Sequence, residues 1–431
     1  MAQIVALHSI GCRTNQEEMT ALSFRLAQRG CTVVDTVEEA DVVVVNTCCV
    51  TAGTEAKTKR FLRHIALCAP RAKICITGCL AQQKAEQLVR MDHVEWVVGN
   101  GCKNDIAGII NGREKGVFCG PPLQRRLTAE LPDAPLFFSV SRRTRFSIKI
   151  QEGCDFRCAY CIVPLVRGSS RSAAMEQVHH ACRLAIEAGF KEIVLTGTHI
   201  GQYRDERNTL TNLVEKVTGI PGDYRVRISS LDPRDLSEPL LQLITSHPRV
   251  CRHVHVSVQS LCQPVVDRMN RSATDVASIV AMLSAVRRQY PTLGIGGDFI
   301  VGFPGESDAM FEETVSNVER VGFSYGHVFR YSKRPFTPAA ELPGQLDEKE
   351  KKHRSALLRE ALRGCRAGFI RACMGAAHRI IVETENPVVG IASNYLRIEV
   401  PGVVCKRNQW SEVMLTHDSD RSGHCLGALS A

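Results

Sequence analysis

Aromatic residues make up only 6% of the 431 residues, with two tryptophans and seven tyrosines. That scarcity argues against a broad platform of stacked bases, which needs many exposed rings. No run of eighteen apolar residues occurs, so no membrane partner is expected. The amino terminus, MAQIVALHSIGC, reads as a short strand and lacks the basic region and cleavage site of a secretory signal. A cytoplasmic protein is expected. There is no internal repeat and no low-complexity segment. Cysteine, by contrast, is abundant at 19 residues. In a reducing compartment an odd count of this size does not make a disulfide framework. Most of these residues should be buried small apolar side chains, and some should be metal ligands.

The length allows two or three domains. Hydrophobic content of 44% and charged content of 23% are ordinary for a soluble chain. A net charge of +9 and a pI near 8.8 favour an anionic partner without identifying one. Between Lys349 and Arg379 nine Lys or Arg face only Glu350 and Glu360. That stretch reads either as a solvated helix face or as a phosphate-contacting surface.

Short β-branched strands alternate with helical patterns through residues 1–115: QIVALHS, CTVVDT, DVVVVN and KICITG, with helices over Glu17–Gln28, Thr54–Leu67 and Ala81–Arg90. This is the pattern of an α/β, flavodoxin-like parallel sheet. Residues 116–140, rich in Pro, Gly and Arg, read as a linker. A second series over 141–370 carries FSIKIQ, EIVLTG, RVRISS, HVHVSV, IGGDFIV and YGHVFRY, six strands of a partial (β/α)6 barrel. Residues 371–431 turn β-rich, as in a small antiparallel barrel.

Just past the first strand of that second series stands EGCDFRCAYCIVP, Glu152–Pro164. Structural zinc needs a fourth ligand, and the nearest are Cys182, His179 and His180 inside a predicted helix. A ferredoxin would supply a fourth cysteine. Cys154, Cys158 and Cys161 can instead hold three corners of a [4Fe–4S] cube and leave the fourth iron open. The run resembles the CxxxCxxC loop of the radical S-adenosylmethionine superfamily, with Tyr160 as the aromatic before its last cysteine. The resemblance implies that the open iron chelates S-adenosylmethionine and that an electron splits it into a 5′-deoxyadenosyl radical. It also implies cofactor contacts at Tyr160 and at later strand ends: Thr196 and Gly197 in LTGTHIG, Ser229 in SSLDP and Gln259 in HVSVQS. IVGFPGE ends the fifth strand in the same manner.

SIGC, VNTC and ITGC end at Cys12, Cys48 and Cys79, each directly after a predicted strand. All three thiols should emerge at the carboxyl edge of one parallel sheet, where doubly wound folds bind ligands. Cys49, beside Cys48, is an alternative that strand alternation does not exclude. Both cysteine sets, in this order, resemble the methylthiotransferase family. So do GCRTNQEE, NTCCVTAGTEAK, TGCLAQ, CIVPLVRG, MNR and VFRYSKRPFTPAA. The resemblance implies an auxiliary [4Fe–4S] cluster on Cys12, Cys48 and Cys79, a radical core, and a carboxyl-terminal RNA-binding TRAM barrel. Leu261, Phe336 and Asp232 depart from its pattern, where Gly, Gly and Glu are usual, and the TRAM-like tail is short.

In this family an unactivated C–H becomes C–SCH3, chemistry that acid–base groups alone cannot drive. No catalytic acid or base is therefore expected. Asn15, Gln16, Glu17 and Glu18 after Cys12 resemble the branch acting on N6-threonylcarbamoyladenosine, at position 37 beside the tRNA anticodon. The alternatives are N6-isopentenyladenosine-37 of tRNA, an aspartate of a ribosomal protein, or a non-catalytic Fe–S RNA-binding or redox protein. Arg142, Arg143, Arg145, Arg167 and Arg171, near the loop, are candidates for RNA contact. A monomer served by an external low-potential electron donor is expected.

Overall fold

A computed structural model describes residues 3–112, 114–121, 127, 144–418 and 425–429. Two compact units divide the chain. The first comprises Met1–Ser141, Lys149–Gln177 and Ser332–Ala340; the second comprises Arg142–Ile148, Val178–Tyr331 and Glu341–Ala431. The division differs from the sequence boundaries in one respect that matters. The three-cysteine loop falls in the amino-terminal unit.

That unit is built on a parallel sheet of β1 (Ile4–Ser9), β2 (Thr32–Val34), β3 (Val42–Thr47), β4 (Lys73–Gly78), β5 (Val94–Val98) and β6 (Gly116–Phe118). Their order is β2-β1-β3-β4-β5-β6, the flavodoxin-like arrangement expected, with its reversal point between β1 and β3. Strand β3, VVVVNT, is buried along its whole length because helices cover both faces. Val42 and Val44 pack with Leu22 and Leu26 of the helix Arg13–Gln28. Val43 and Val45 pack with Leu62 and Ile65 of Ala52–Cys68 and Leu80 of Cys79–Leu88. Each fully buried aliphatic side chain of this kind contributes about 1.5–3 kcal/mol. Strand β6 begins inside the segment expected to be linker, so the sheet extends further than the sequence indicated. Strand β7 (Arg145–Glu152) enters this unit with its last residues, where Gln151 and Glu152 pair antiparallel with β8 (Arg171–Ser172).

In the second unit β7 begins a series continued by β9 (Glu192–Gly197), a short hairpin of β10 (Arg204–Asp205) and β11 (Asn208–Thr209), β12 (Arg225–Ile228), β13 (His253–Gln259), β14 (Gly294–Val301) and β15 (Tyr325–Arg330). The order β12-β9-β7 and the order β13-β14-β15 are joined by single parallel bridges, Val226↔Val250 and Leu231↔Val256. All six expected strands are present, and the barrel is partial. The chain ends in a closed barrel, β16 (Ala377–Glu385), β17 (Val388–Ala392), β18 (Arg397–Val400), β20 (Cys425–Leu429) and β19 (Trp410–Asp418), in that spatial order.

Buried charges fasten this small barrel to the larger one. Glu192 accepts from Nε of Arg225 and of Arg227, both at 2.7 Å. The same guanidiniums donate onward to the carbonyls of Ile391 at 2.8 Å and Ala392 at 3.0 Å. The basic stretch becomes the helix Glu348–Cys373, capped by Asp347. Its Arg354 is buried and paired with Glu306 at 2.9 Å, so part of that charge is structural. Among the described residues no helix is long and apolar enough to cross a membrane.

Candidate iron–sulfur sites

Cys12, Cys48 and Cys79 stand at the carboxyl ends of the neighbouring strands β1, β3 and β4. Cys12 is the N-cap of the helix Arg13–Gln28, and Cys79 opens the helix Cys79–Leu88. A helix amino terminus favours negative charge, so both positions suit thiolates. Position 11 has φ +142, and a Cβ there would lie 2.5 Å from Cys48 Cβ, so only glycine admits the approach. Below the thiols a polar layer fixes the strand ends. Asn15 Nδ2 donates to Thr47 O at 3.1 Å, and Thr47 Oγ1 donates to Thr77 O at 2.6 Å.

The charges at this edge are not those of an apolar pocket. The Cys49 thiol donates to Cys79, which with Arg167 and Lys103 pulls the Cys79 thiol down to about 5 against the opposing effect of burial. Burial, then the charges of Cys79 and Cys12, push Cys48 up to about 12. Cys48 thus faces both other members of the proposed set. Cys49, fully buried, faces Cys79 and Cys48 and is raised by both.

The three-cysteine loop is pinned at both ends. Gly153 has φ +80, and a Cβ there would lie 2.0 Å from Ser169 O. Cys154 N donates to Gly168 O at 3.1 Å, and buried Gln151 reaches Gly153 O and Ser170 Oγ, each at 2.9 Å. Cys161 N closes a turn onto Cys158 O at 3.0 Å before the helix Val163–Arg167 begins. Cys158 is buried, whereas Cys154, Cys161 and Tyr160 are half-buried.

Ligand type and spacing bear on the choice between a cluster and a single ion. Tetrahedral zinc with Zn–S bonds near 2.3 Å holds its sulfurs about 3.8 Å apart. Among the described residues the one group of three His, Cys, Asp or Glu with ligand atoms all within 4.8 Å is exposed: Glu38, His64 and Cys68. Neither cysteine triad is such a group, and each offers three soft sulfur donors, the ligand type of iron–sulfur clusters.

One ion network runs from Cys79 and Cys12 to residues that flank the three-cysteine loop, and nothing in the sequence pointed to it. Arg167 donates from Nε to Cys79 Sγ at 3.3 Å, and from Nη1 to Glu18 Oε1 at 2.8 Å and Glu152 Oε1 at 2.7 Å. Its Nη2 reaches Asn15 Oδ1 at 2.9 Å, an atom that also accepts from Cys12 Sγ at 3.3 Å. Lys103 and Lys149 bind Glu18 at 2.5 and 3.3 Å, and Arg171 binds Glu152 at 3.3 Å. Burial would raise the Glu18 carboxyl, but Arg167, Lys103 and Lys149 outweigh it and hold it well below the usual carboxylate range.

This arrangement corrects the expected RNA contacts. Arg167 is 3% exposed and saturated by carboxylates, so it cannot meet a polyanion from solvent. Arg171 is paired inside the same network, and Arg145 pairs with Glu383 at 3.0 Å and lies 3.8 Å from Glu192. Arg142 and Arg143 lie outside the described residues.

In the second unit the expected cofactor contacts occupy strand ends. Thr196 and Gly197 finish β9, with Thr196 buried, and Ser229 N donates to Leu195 O at 3.1 Å just past β12. Gln259 ends β13 at φ +66, next to a register shift against β14. Asp232 of SSLDP accepts from Arg271 of MNR at 2.9 Å, so two motifs far apart in sequence form one ion pair. A further polar line, not anticipated from the sequence, runs along β13, β14 and β15. Tyr325 Oη sits 2.8 Å from both His253 Nε2 and His255 Nδ1, and His255 Nε2 lies 3.0 Å from Asp298. The alternation of His253, His255 and Ser257 is its signal in the sequence.

Comparisons with known proteins agree with this organisation. Residues 4–99 match the Uncharacterized protein family UPF0004, and residues 148–318 match the Radical SAM superfamily. A threonylcarbamoyladenosine tRNA methylthiotransferase of Aquifex aeolicus is 34% identical over 403 residues, covering 92% of this chain and 97% of that protein. The Bacillus subtilis protein of that description is 34% identical over 415 residues, covering 92% and 90%. A tRNA-2-methylthio-N(6)-dimethylallyladenosine synthase of Cereibacter sphaeroides is 30% identical over 412 residues, covering 92% of each. Among solved structures, the radical S-adenosylmethionine methyltransferase TsrM of Kitasatospora setae superposes with a TM-score of 0.57 at 14% identity. It covers 79% of this chain and 77% of that one, a likeness of fold alone.

Proposed function

Since the chain belongs to the methylthiotransferase family of radical S-adenosylmethionine enzymes, we propose that it converts N6-threonylcarbamoyladenosine at position 37 of tRNA to its 2-methylthio derivative. Membership makes it a transferase that uses S-adenosylmethionine and two [4Fe–4S] clusters. The observation that carries the choice of substrate is the similarity, at 34% identity over nine-tenths of the chain, to relatives described as acting on that nucleoside. Asn15-Gln16-Glu17-Glu18 after Cys12 supports the same branch. Asn15 and Glu18 lie in the network that holds Arg167, so this short signature acts by positioning a ligand cysteine.

Cys154, Cys158 and Cys161 are assigned to the radical-generating cluster, and Cys12, Cys48 and Cys79 to the auxiliary one. When bound, these groups supply a carbon-centred radical and a sulfur donor, chemistry that belongs to the cofactors. The chain's own contribution is geometric. Gly153, Gln151 and Gly168 hold the ends of the loop that carries Cys154, Cys158 and Cys161, the residues that would bind the radical-generating cluster. Gly11 lets β1 and β3 bring Cys12 and Cys48 together, and the helix amino termini at Cys12 and Cys79 favour anionic sulfur. Tyr160, in the loop, and Thr196, Gly197, Ser229 and Gln259, at the carboxyl ends of the barrel strands, are assigned to S-adenosylmethionine. The reacting C2–H of an adenine has no useful acidity, so a general base has no proton to remove in the difficult step.

The test is mass spectrometry of nucleosides in tRNA from cells lacking this chain and from cells complemented with it. The methylthio derivative of threonylcarbamoyladenosine should vanish and return. Loss of the methylthio-isopentenyladenosine instead, or loss of a methylthio-aspartate in a ribosomal protein with tRNA unchanged, would overturn the choice.

A further inference from the structure

Four cations, Lys103, Lys149, Arg167 and Arg171, meet two carboxylates, Glu18 and Glu152. Lys103, Arg167, Glu18 and Glu152 are all less than 10% exposed, so water screens little of the field inside this network. Arg167 carries that field to sulfur, since its Nε donates to Cys79 Sγ at 3.3 Å. Three thiolates on a [4Fe–4S] cube give a net anion, and that anion grows by one charge on reduction.

We propose that Arg167 is a positioning residue that sets the reduction potential of the auxiliary cluster, donating directly to Cys79. The proposal rests on the assignment of that cluster to Cys12, Cys48 and Cys79. The physical reason is direct. A hydrogen bond and a fixed positive charge at a ligand sulfur stabilise the more negative, reduced state and raise the potential. Glu18 and Glu152 act on the same cluster by aiming the guanidinium. Glu152 lies two residues before Cys154 and Arg167 six residues after Cys161, so the aim is fixed by both ends of the loop that carries the other triad. The auxiliary site is therefore tuned by the folding of the radical loop.

The experiment uses the full chain with Cys154, Cys158 and Cys161 replaced by Ala, so that the auxiliary cluster alone is observed. Iron content and redox potentiometry followed by electron paramagnetic resonance are measured in this background, with and without Arg167→Gln. Arg167→Gln should lower the reduced-to-oxidised ratio at a fixed solution potential at least tenfold, a shift of about 59 mV for one electron. Arg167→Lys keeps the charge but loses the Nε donor and the fork, so it should retain iron and fall between the two. Should Arg167→Gln fail to hold iron, Arg167→Lys decides by itself. A midpoint equal to that of the parent in whichever variant holds iron overturns the proposal. A triple-cysteine background that binds no iron while the unaltered chain holds a cluster refutes the assignment of Cys12, Cys48 and Cys79 rather than the role of Arg167.

Discussion

Gly11 and Cys48 meet with no room for a side chain between them: a Cβ on residue 11 would lie 2.5 Å from Cys48 Cβ and 3.4 Å from its Sγ. The backbone at Gly11, with φ +142, is one that other residues rarely adopt. Gly11→Ala should push β1 away from β3 and separate Cys12 from Cys48. Reconstituted Gly11→Ala is expected to hold about four irons per chain where the parent holds about eight, one cube instead of two. Cleavage of S-adenosylmethionine to 5′-deoxyadenosine should persist. Full iron content in the variant would show that the strand ends tolerate the displacement.

The choice between adjacent thiols is open to a similar measurement. Cys48 responds to the charges of both Cys79 and Cys12, whereas Cys49 hydrogen-bonds Cys79 from a fully buried position. Cys48→Ala should therefore abolish the auxiliary cluster's absorption and resonance signals. Cys49→Ala should keep them and shift only their position, since it removes a donor to a ligand sulfur. The opposite pattern would move the third ligand to Cys49.

These cases show which parts of the site the sequence could express. The placement of Cys12, Cys48 and Cys79 at one sheet edge was legible because each follows a strand, and the carboxyl edge of a parallel sheet gathers such positions whatever their separation. That Cys154, Cys158 and Cys161 share one loop was legible because their spacing is local. Glu18 and Arg167 were not, since they meet from 149 residues apart and nothing local distinguishes a buried arginine from an exposed one. Charge alone placed Arg167 on an RNA surface, and burial removed it. Strand β6 was missed because three residues, GVF, in a Gly- and Pro-rich stretch carry no periodic signal. The six barrel strands were found because each is long enough to alternate or to be uniformly apolar.

Phe336 occupies a position where the family usually has glycine, and it adopts φ +65 with 83% of its surface exposed. A bulky residue in the left-handed region carries about 1–2 kcal/mol of strain, and no buried contact area offsets it. Phe336→Gly removes the strain but adds freedom to the unfolded chain, about 0.5–1 kcal/mol. The net expectation is a stabilisation of about 0.5–1 kcal/mol, read as a rise in the unfolding midpoint of the reconstituted protein. A lower midpoint would mean that the ring makes a contact worth more than the strain.

Glu192 provides the pH-dependent case. It is fully buried between Arg225 and Arg227; burial alone would raise its carboxyl, and the two guanidiniums outweigh burial and hold it well below its ordinary 4.5. Above pH 4.5 both the folded and the unfolded chain carry the charge, and the stabilisation is complete. As pH falls below that value the unfolded chain takes up a proton that the folded chain refuses, so stability drops until the folded value is passed. Glu192→Gln should cost about 3–5 kcal/mol at neutral pH, because two arginines lose their counter-ion. It should also flatten the loss on acidification. Trp410 reports on this region, since its ring stacks 5.1 Å from the Arg225 guanidinium. With Trp96→Phe it is the one tryptophan left of two, and its fluorescence follows urea unfolding of the second unit at a series of pH values. Acid limbs of the parent and of the Glu192→Gln variant that run parallel, offset but equal in slope, would show that some other carboxylate governs acid stability there.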